Sequence, residues 1–194
     1  MLMLGSRLHD TPVMSLQTGT RLAKITTPVI NPANLKILAY EVDGPLLNEH
    51  PSFLRTEDIR EMGALGMIID SADEIIGLDD VIKVKELREL DFQLIGLPVI
   101  DEHKHKLGKV DDYTLETHGY VIQQLNVKRG LLRGLNDTGL LIHRSQIVEV
   151  NDNFIIVKST GRKKMVTPIM DTPKREYVNP FRGTTPQTEP APEA

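Results

Sequence analysis

The sequence predicts a mainly β protein: two small β-barrels in tandem, a short linking helix and a disordered C-terminal tail. Three observations predict it. The chain repeats itself at a nearly constant offset, its apolar residues recur with a period close to two, and aliphatic residues almost vanish beyond Asp171. The repeat is seen first in Leu8-His9-Asp10-Thr11-Pro12-Val13-Met14, which Leu94-Ile95-Gly96-Leu97-Pro98-Val99-Ile100 answers 86 residues later. Leu22 and Leu107, Ile37 and Ile122, and Val42 and Val127 each stand 85 apart, and Ile59 and Ile147 stand 88 apart. Insertions in surface turns leave drifts of this size. Two copies of one module explain the order and offset better than chance matches between apolar strands.

The first barrel is expected over residues 6–77. Arg21-Leu22-Ala23-Lys24-Ile25 and Leu35-Lys36-Ile37-Leu38-Ala39-Tyr40-Glu41-Val42 are β-rich runs with partial alternation, as in strands with one buried face. Gln17-Thr18-Gly19-Thr20 supplies a hairpin turn, and Leu65 to Ile69 a late strand. Pro28 to Pro32 reads as an extra turn, and Asp43 to Pro51 as a long loop whose prolines limit pairing. Residues 78–91 read as the linking helix. Asp79 or Asp80 is the expected N-cap, and Val81, Val84 and Leu87 fall at three-residue spacing with Lys83 and Glu86 outside. A strand is the alternative there, because Ile82 and Val84 also alternate.

The second barrel is expected over residues 92–160. Lys106-Leu107-Gly108-Lys109-Val110 and Tyr120 to Val127 repeat the paired runs around the turn Asp101-Glu102-His103-Lys104. Val148 to Phe154 adds a hairpin, with Asn151-Asp152-Asn153 suited to positive φ. About five short strands in so few residues are expected to close, since closure removes exposed edges. The tail, 161–194, holds too little aliphatic surface to offset its ordering entropy.

Composition narrows the function classes. Of 194 residues 40% are apolar, enough for a core, which must be aliphatic because Trp is absent and aromatics are 4%. The absence of Cys excludes disulfides, thiolate zinc sites, cysteine nucleophiles and prenyl or palmitoyl anchors. A net charge of -4 argues against a general nucleic-acid binder. Met1 to Arg7 lacks the pattern of a signal peptide, and no window is apolar enough for a membrane helix, so a cytoplasmic protein without membrane insertion is expected.

Each half resembles a PRC-barrel domain, the small barrel shared by the reaction-centre H subunit and the C-terminal part of the 16S ribosomal RNA maturation factor. The resemblance rests on Leu94 to Val99, then Lys106-Leu107-Gly108-Lys109-Val110-Asp111-Asp112-Tyr113, then Leu141-Ile142-His143-Arg144-Ser145-Gln146-Ile147. It covers about residues 6 to 160. The first copy departs from it, with Leu22-Ala23-Lys24-Ile25 in place of Leu-Gly-Lys-Val. Gly108 is expected where a bent strand passes close to its neighbour. The resemblance implies binding and scaffolding rather than catalysis, and no cofactor.

Candidate chemistry is sparse. Asp101, Glu102, His103 and His105 could ligate a metal, yet they sit in a polar turn where such residues are ordinary. His118 reads as a turn residue and His143 as a rim residue. Ser145 lacks a nucleophile elbow, and Asp111 and Asp112, being adjacent in a strand, face apart. No catalytic, cofactor-binding or metal site is assigned. Lys128, Arg129, Arg133 and Arg162-Lys163-Lys164 are the basic candidates for nucleic acid, without interleaved aromatics. Tyr177, Asn179, Pro180 and Phe181, with Arg162, Lys163 and Lys164, are the candidate partner-binding residues of the tail. The expected function is a non-enzymatic adaptor binding another protein, and the alternative is a ribosome-assembly or RNA-associated factor. A ribosomal component is thus the alternative partner, and a homodimer stays open. The inserted loops of copy one are the expected recognition surface.

Overall fold

The computed structural model describes residues 1–129 and 139–159, which lie in one compact unit. In chain order the strands are β1 (Leu2–Leu4), β2 (Pro12–Ser15), β3 (Arg21–Asn31), β4 (Lys36–Asp43), β5 (Ser52–Arg55), β6 (Glu61–Gly63), β7 (Gly66–Ile69) and β8 (Ile75–Gly77). The helix α1 (Ile82–Glu89) follows, then β9 (Pro98–Asp101), β10 (Lys106–Glu116), β11 (Val121–Lys128), β12 (Leu140–His143), β13 (Ile147–Val150) and β14 (Ile155–Val157). The protein is mainly β, as the period-two runs predict.

All fourteen strands belong to one sheet. Its main path is β13-β14-β9-β10-β11-β4-β3-β2-β7-β6, with β1 on β10, β12 on β11, β5 on β4 and β8 on β5. The path ends at β13 and β6 and does not close. The expected removal of every edge by closure is therefore corrected to one open sheet. The halves join where β4 meets β11: the Ile37 N–H donates to the Tyr120 carbonyl at 2.8 Å, and the Ile122 N–H to the Leu35 carbonyl at 2.9 Å. Their apolar faces are continuous, since one buried cluster holds Val13, Ile25 and Ile37 together with Val99, Val110 and Ile122. Tyr40 and Tyr120 meet edge to face inside it, with ring centroids 6.3 Å apart.

The order of pairing is the same on both sides of α1. The long hairpin β3–β4 corresponds to β10–β11, and the parallel pair β2–β7 to β9–β14. Irregularities match as well. Positive φ occurs at Asp10 and Gly96, at Gly19 and Lys104, and at Leu35 and Tyr120. Register shifts fall between Ile25 and Thr27 and between Val29 and Ile30 in β3, and between Val110 and Asp112 and between Thr114 and Leu115 in β10. Each shift turns the buried face by one residue. The alternation of β4 is also interrupted at Ala39–Tyr40, because Tyr40 faces the main core while Ala39 is buried on the opposite face with Val29 and Phe53.

Several expectations need correction. Pro28 and its neighbours form no extra turn: β3 runs through Asn31 and has eleven residues, as β10 does. Pro28 stands opposite Tyr40, past the reach of β2, which ends its pairing at Lys24. A residue without an N–H is tolerated there because only one side of the strand is paired. The Asn151-Asp152-Asn153 turn takes no positive φ. It is held instead by the Asn151 carboxamide oxygen, which accepts the N–H groups of Asn153 at 3.0 Å and Phe154 at 2.9 Å.

The helix is real but shorter than 78–91, because Leu78–Asp80 forms a 3₁₀ turn ahead of it. Val81 is its N-cap, without a side-chain cap, while Asp79 pairs with Lys85 Nζ at 2.6 Å. The predicted face does pack: Val84 is buried with Val29, Ala39 and Phe53, and Val81 and Leu87 lie beside them. That cluster belongs to β3, β4 and β5, so α1 covers the outer face of the first half. Phe53 is 0% exposed beneath it.

Candidate functional site

The Asp101–His105 turn is the densest polar cluster that the sequence singled out. Asp101 ends β9 with its carboxylate turned back into the turn. It accepts the amide N–H groups of His103 at 2.8 Å and His105 at 2.9 Å and the Ser159 hydroxyl at 3.1 Å, and its other partner is His105 Nδ1 at 2.9 Å. Desolvation alone would raise its pKa, but the hydrogen bonds from His105, His103 and Ser159 outweigh it and hold the group at about 2. Every strong acceptor direction is spent on the turn and on Ser159, just beyond β14. Ser15 occupies the matching place at the end of β2 and performs a similar task, accepting the Thr18 N–H and donating to the Asp70 carbonyl. The cluster is thus a clasp that fixes a turn and the chain leaving the sheet. Among the described residues no group of three or more His, Asp or Glu side chains converges on a metal position.

The clasp makes a pH prediction. A carboxyl whose folded pKa lies below its unfolded value stabilises the fold above the unfolded pKa, and that contribution disappears as pH falls through the folded one. Wild type should therefore melt higher than Asp101→Asn at pH 5 to 7, and the gap should shrink as pH falls from about 4 to about 2. Thermal melts across pH 2 to 7 check it; a gap independent of pH would show that the charge of Asp101 is not what the turn uses.

The other candidates resolve into local structure. His118 is exposed in the β10–β11 turn, where Glu116 accepts the N–H groups of His118 and Gly119, each at 2.7 Å. His143 caps the 3₁₀ turn Arg144–Gln146. Its Nδ1 accepts the Ser145 N–H at 3.2 Å and lies 2.8 Å from the Ser145 hydroxyl, while the Gln146 side chain accepts the His143 N–H at 2.9 Å. A serine and a histidine therefore touch, a contact not foreseen from the sequence. Among the described residues no carboxylate hydrogen-bonds that ring, so the contact there is a serine–histidine pair without the acid of a triad. Asp112 accepts the Ser6 amide at 3.0 Å and hydroxyl at 2.6 Å, whereas Asp111 lies exposed at the register shift. They do not share a proton.

Two clefts flank the linker after α1. The larger, about 320 Å³, is lined by Phe92, Ile95 and Leu97 with Asp91 and Asp152 as its ionisable groups. The smaller, about 170 Å³, lies along Thr27 to Ile30 of β3 beneath Leu87 and Arg88. Both open on irregular chain between the halves.

Lys128 and Arg129 are exposed at the end of β11. Arg133, Arg162, Lys163, Lys164, Tyr177, Asn179, Pro180 and Phe181 lie outside the described residues. In the loop of copy one Leu46 is 74% exposed while Leu47 packs on the core, so this loop is anchored at one residue and open at the next. A further exposed position, Leu141, at 62% in β12, carries no signal in the residues around it. It reads as an apolar strand residue, and only the neighbours around it decide whether it is covered. Among the described residues no helix is long and apolar enough to cross a membrane. No protein-family model matches the sequence, and no curated protein does.

Proposed function

We propose that the chain is a non-enzymatic adaptor built from two PRC-type barrel modules, whose outer surfaces bind another protein. The observation that carries the reading is the set of matched irregularities: three pairs of positive-φ positions, Asp10 with Gly96, Gly19 with Lys104 and Leu35 with Tyr120, and the register shifts of the two long hairpins recur in both halves. Bulges and left-handed residues cost energy, so one ancestral backbone copied twice explains their agreement better than chance does. The parallel pairs β2–β7 and β9–β14 bring an early and a late strand of each half together, which supports a barrel-like curl in each.

Surface differences between the modules support binding. In the first, α1 covers the outer face and β8 pairs along the edge of β5, while the second keeps an exposed Leu141 at the matched place. Modules with one shared frame and different surfaces are suited to holding partners. The RNA-associated reading has less support, because phosphate affinity grows with clustered cations and Lys128 and Arg129 are a short cluster.

The test is affinity capture with the full chain from its own cells, with partners identified by mass spectrometry. A reproducible protein partner, retained in high salt and after nuclease treatment, is the expected result. Recovery of ribosomal subunits would favour the RNA-associated reading, and a purified hydrolase or transferase activity would overturn the class.

A further inference from the structure

In the first half β5 lies between β4 and β8, in antiparallel register with Ser52 opposite Gly77, Phe53 opposite Ile76 and Leu54 opposite Ile75. Its counterpart β12 pairs with β11 on one side, and among the described residues no strand pairs with its other side. The Gln146 side chain takes the His143 N–H. Two-residue alternation then turns the N–H and C=O of Leu141 toward the same open edge. Ile142 is 3% exposed in the core, whereas Leu141 is 62% exposed where Phe53 is 0% exposed. An exposed edge carrying a large aliphatic side chain is a template for one more strand.

Charge decides which strand fits. The described residues of the β11–β12 ribbon, 121–129 and 139–146, contain the cations Lys128, Arg129 and Arg144 and no carboxylate. Among the described residues none of the three is ion-paired, although Arg144 donates to the Asn34 carbonyl at 3.3 Å. The segment that fills the matched edge is acidic: Asp73 and Glu74 precede Ile75-Ile76-Gly77, and Asp79 and Asp80 follow. The chain's own sequence beyond Ser159 begins Thr160-Gly161-Arg162-Lys163-Lys164 and would bring like charge to the edge. So would β12 of a second copy.

We infer that the open edge of β12 is a docking site for an acidic, extended segment of a partner protein, which adds antiparallel to β12 with an aliphatic residue on Leu141. The inference rests on the adaptor reading and deepens it. Backbone hydrogen bonds supply the register, Leu141 supplies the apolar contact, and the cations select carboxylates on either side of it.

The probe is a synthetic peptide with the sequence of residues 72–80, Ala-Asp-Glu-Ile-Ile-Gly-Leu-Asp-Asp, titrated into the full chain and followed by amide NMR. Saturable shifts centred on Leu141 and its neighbours in β12 are expected. Leu141→Glu should weaken binding by on the order of tenfold or more without lowering the melting temperature, because the side chain is already exposed. A peptide with Lys at each acidic position should bind as poorly. Absence of binding, binding unaffected by Leu141→Glu, or equal binding of the basic peptide would each overturn the inference. It also fails if the Leu141 amide is already protected from exchange in monomeric full chain, since residues of the same chain then hold the edge. Dimerisation abolished by Leu141→Glu would assign the edge to a second copy. Partners captured equally by wild type and Leu141→Glu would leave the adaptor reading standing and remove this site from it.

Discussion

Gly108→Val should cost about 3 kcal/mol of stability, the sum of a backbone clash and a φ that a β-branched residue avoids. A Cβ built on Gly108 would sit 2.3 Å from the Lys128 carbonyl oxygen and 2.8 Å from a Val127 methyl, and the residue has φ +151°. The obstacle is the backbone of β11, which cannot swing aside without breaking the longest hairpin of the second half. For a unit of this size the loss corresponds to a drop in melting temperature of roughly 10 °C. A Gly108→Val protein that melts within a degree or two of wild type would show that β10 can relax away from β11. The first half solves the same approach from the opposite strand. Ala23, the counterpart of Gly108, is buried at 2%, and the space for its methyl is left by Gly44, whose own Cβ would lie 2.4 Å from the Leu22 carbonyl oxygen. Ala23→Gly should therefore cost less than about 1 kcal/mol, and Gly44→Ala clearly more.

Phe53→Ala should cost about 3 to 4 kcal/mol, in the range for emptying a buried aromatic site. Phe53 is fully buried among Val29, Ala39 and Val84, with Ile76 packed alongside. It is the largest side chain of that cluster, and α1 has no other buried residue than Val84 to hold it to the sheet. The loss should show twice: in the overall melt, and as faster hydrogen exchange over Ile82–Glu89 than over β10 and β11. Exchange in α1 that rises no more than in β10 would mean that the helix is held by its ion pairs, Lys85 to Asp79 and Arg88 to Glu41, rather than by Phe53.

Much of this architecture is legible in the residues. The matched runs Arg21 to Ile25 and Lys106 to Val110 locate β3 and β10, because alternation reports a half-buried strand wherever it occurs. Val81, Val84 and Leu87 mark the buried face of α1 for the same local reason. The cap differs from the expected one, since Asp79 and Asp80 belong to a 3₁₀ turn, a contest between local hydrogen-bond options that the residue types alone leave balanced. Pro28 lies within a strand and not in a turn, because proline excludes pairing on one side of a strand only, and which side is vacant depends on where β2 stops. The candidate site was less legible. His143 and Ser145 touch through a capping geometry that has no sequence signature, and the clasp at Asp101 is completed by Ser159 from 58 residues away.

The sequence by itself determined the strand-rich class, the aliphatic core and the paired order of elements, since these follow from composition, two-residue alternation and self-comparison. The tertiary structure alone decided that the strands make one open sheet, because closure depends on whether distant edges meet, and β6 and β13 do not pair. It also decided the opposite fates of Phe53 and Leu141. Both are apolar residues at matched strand positions, yet one is buried because β8 and α1 fold back over it, while the other faces solvent. Burial belongs to the neighbours that a fold brings to a residue, and those neighbours come from elsewhere in the chain.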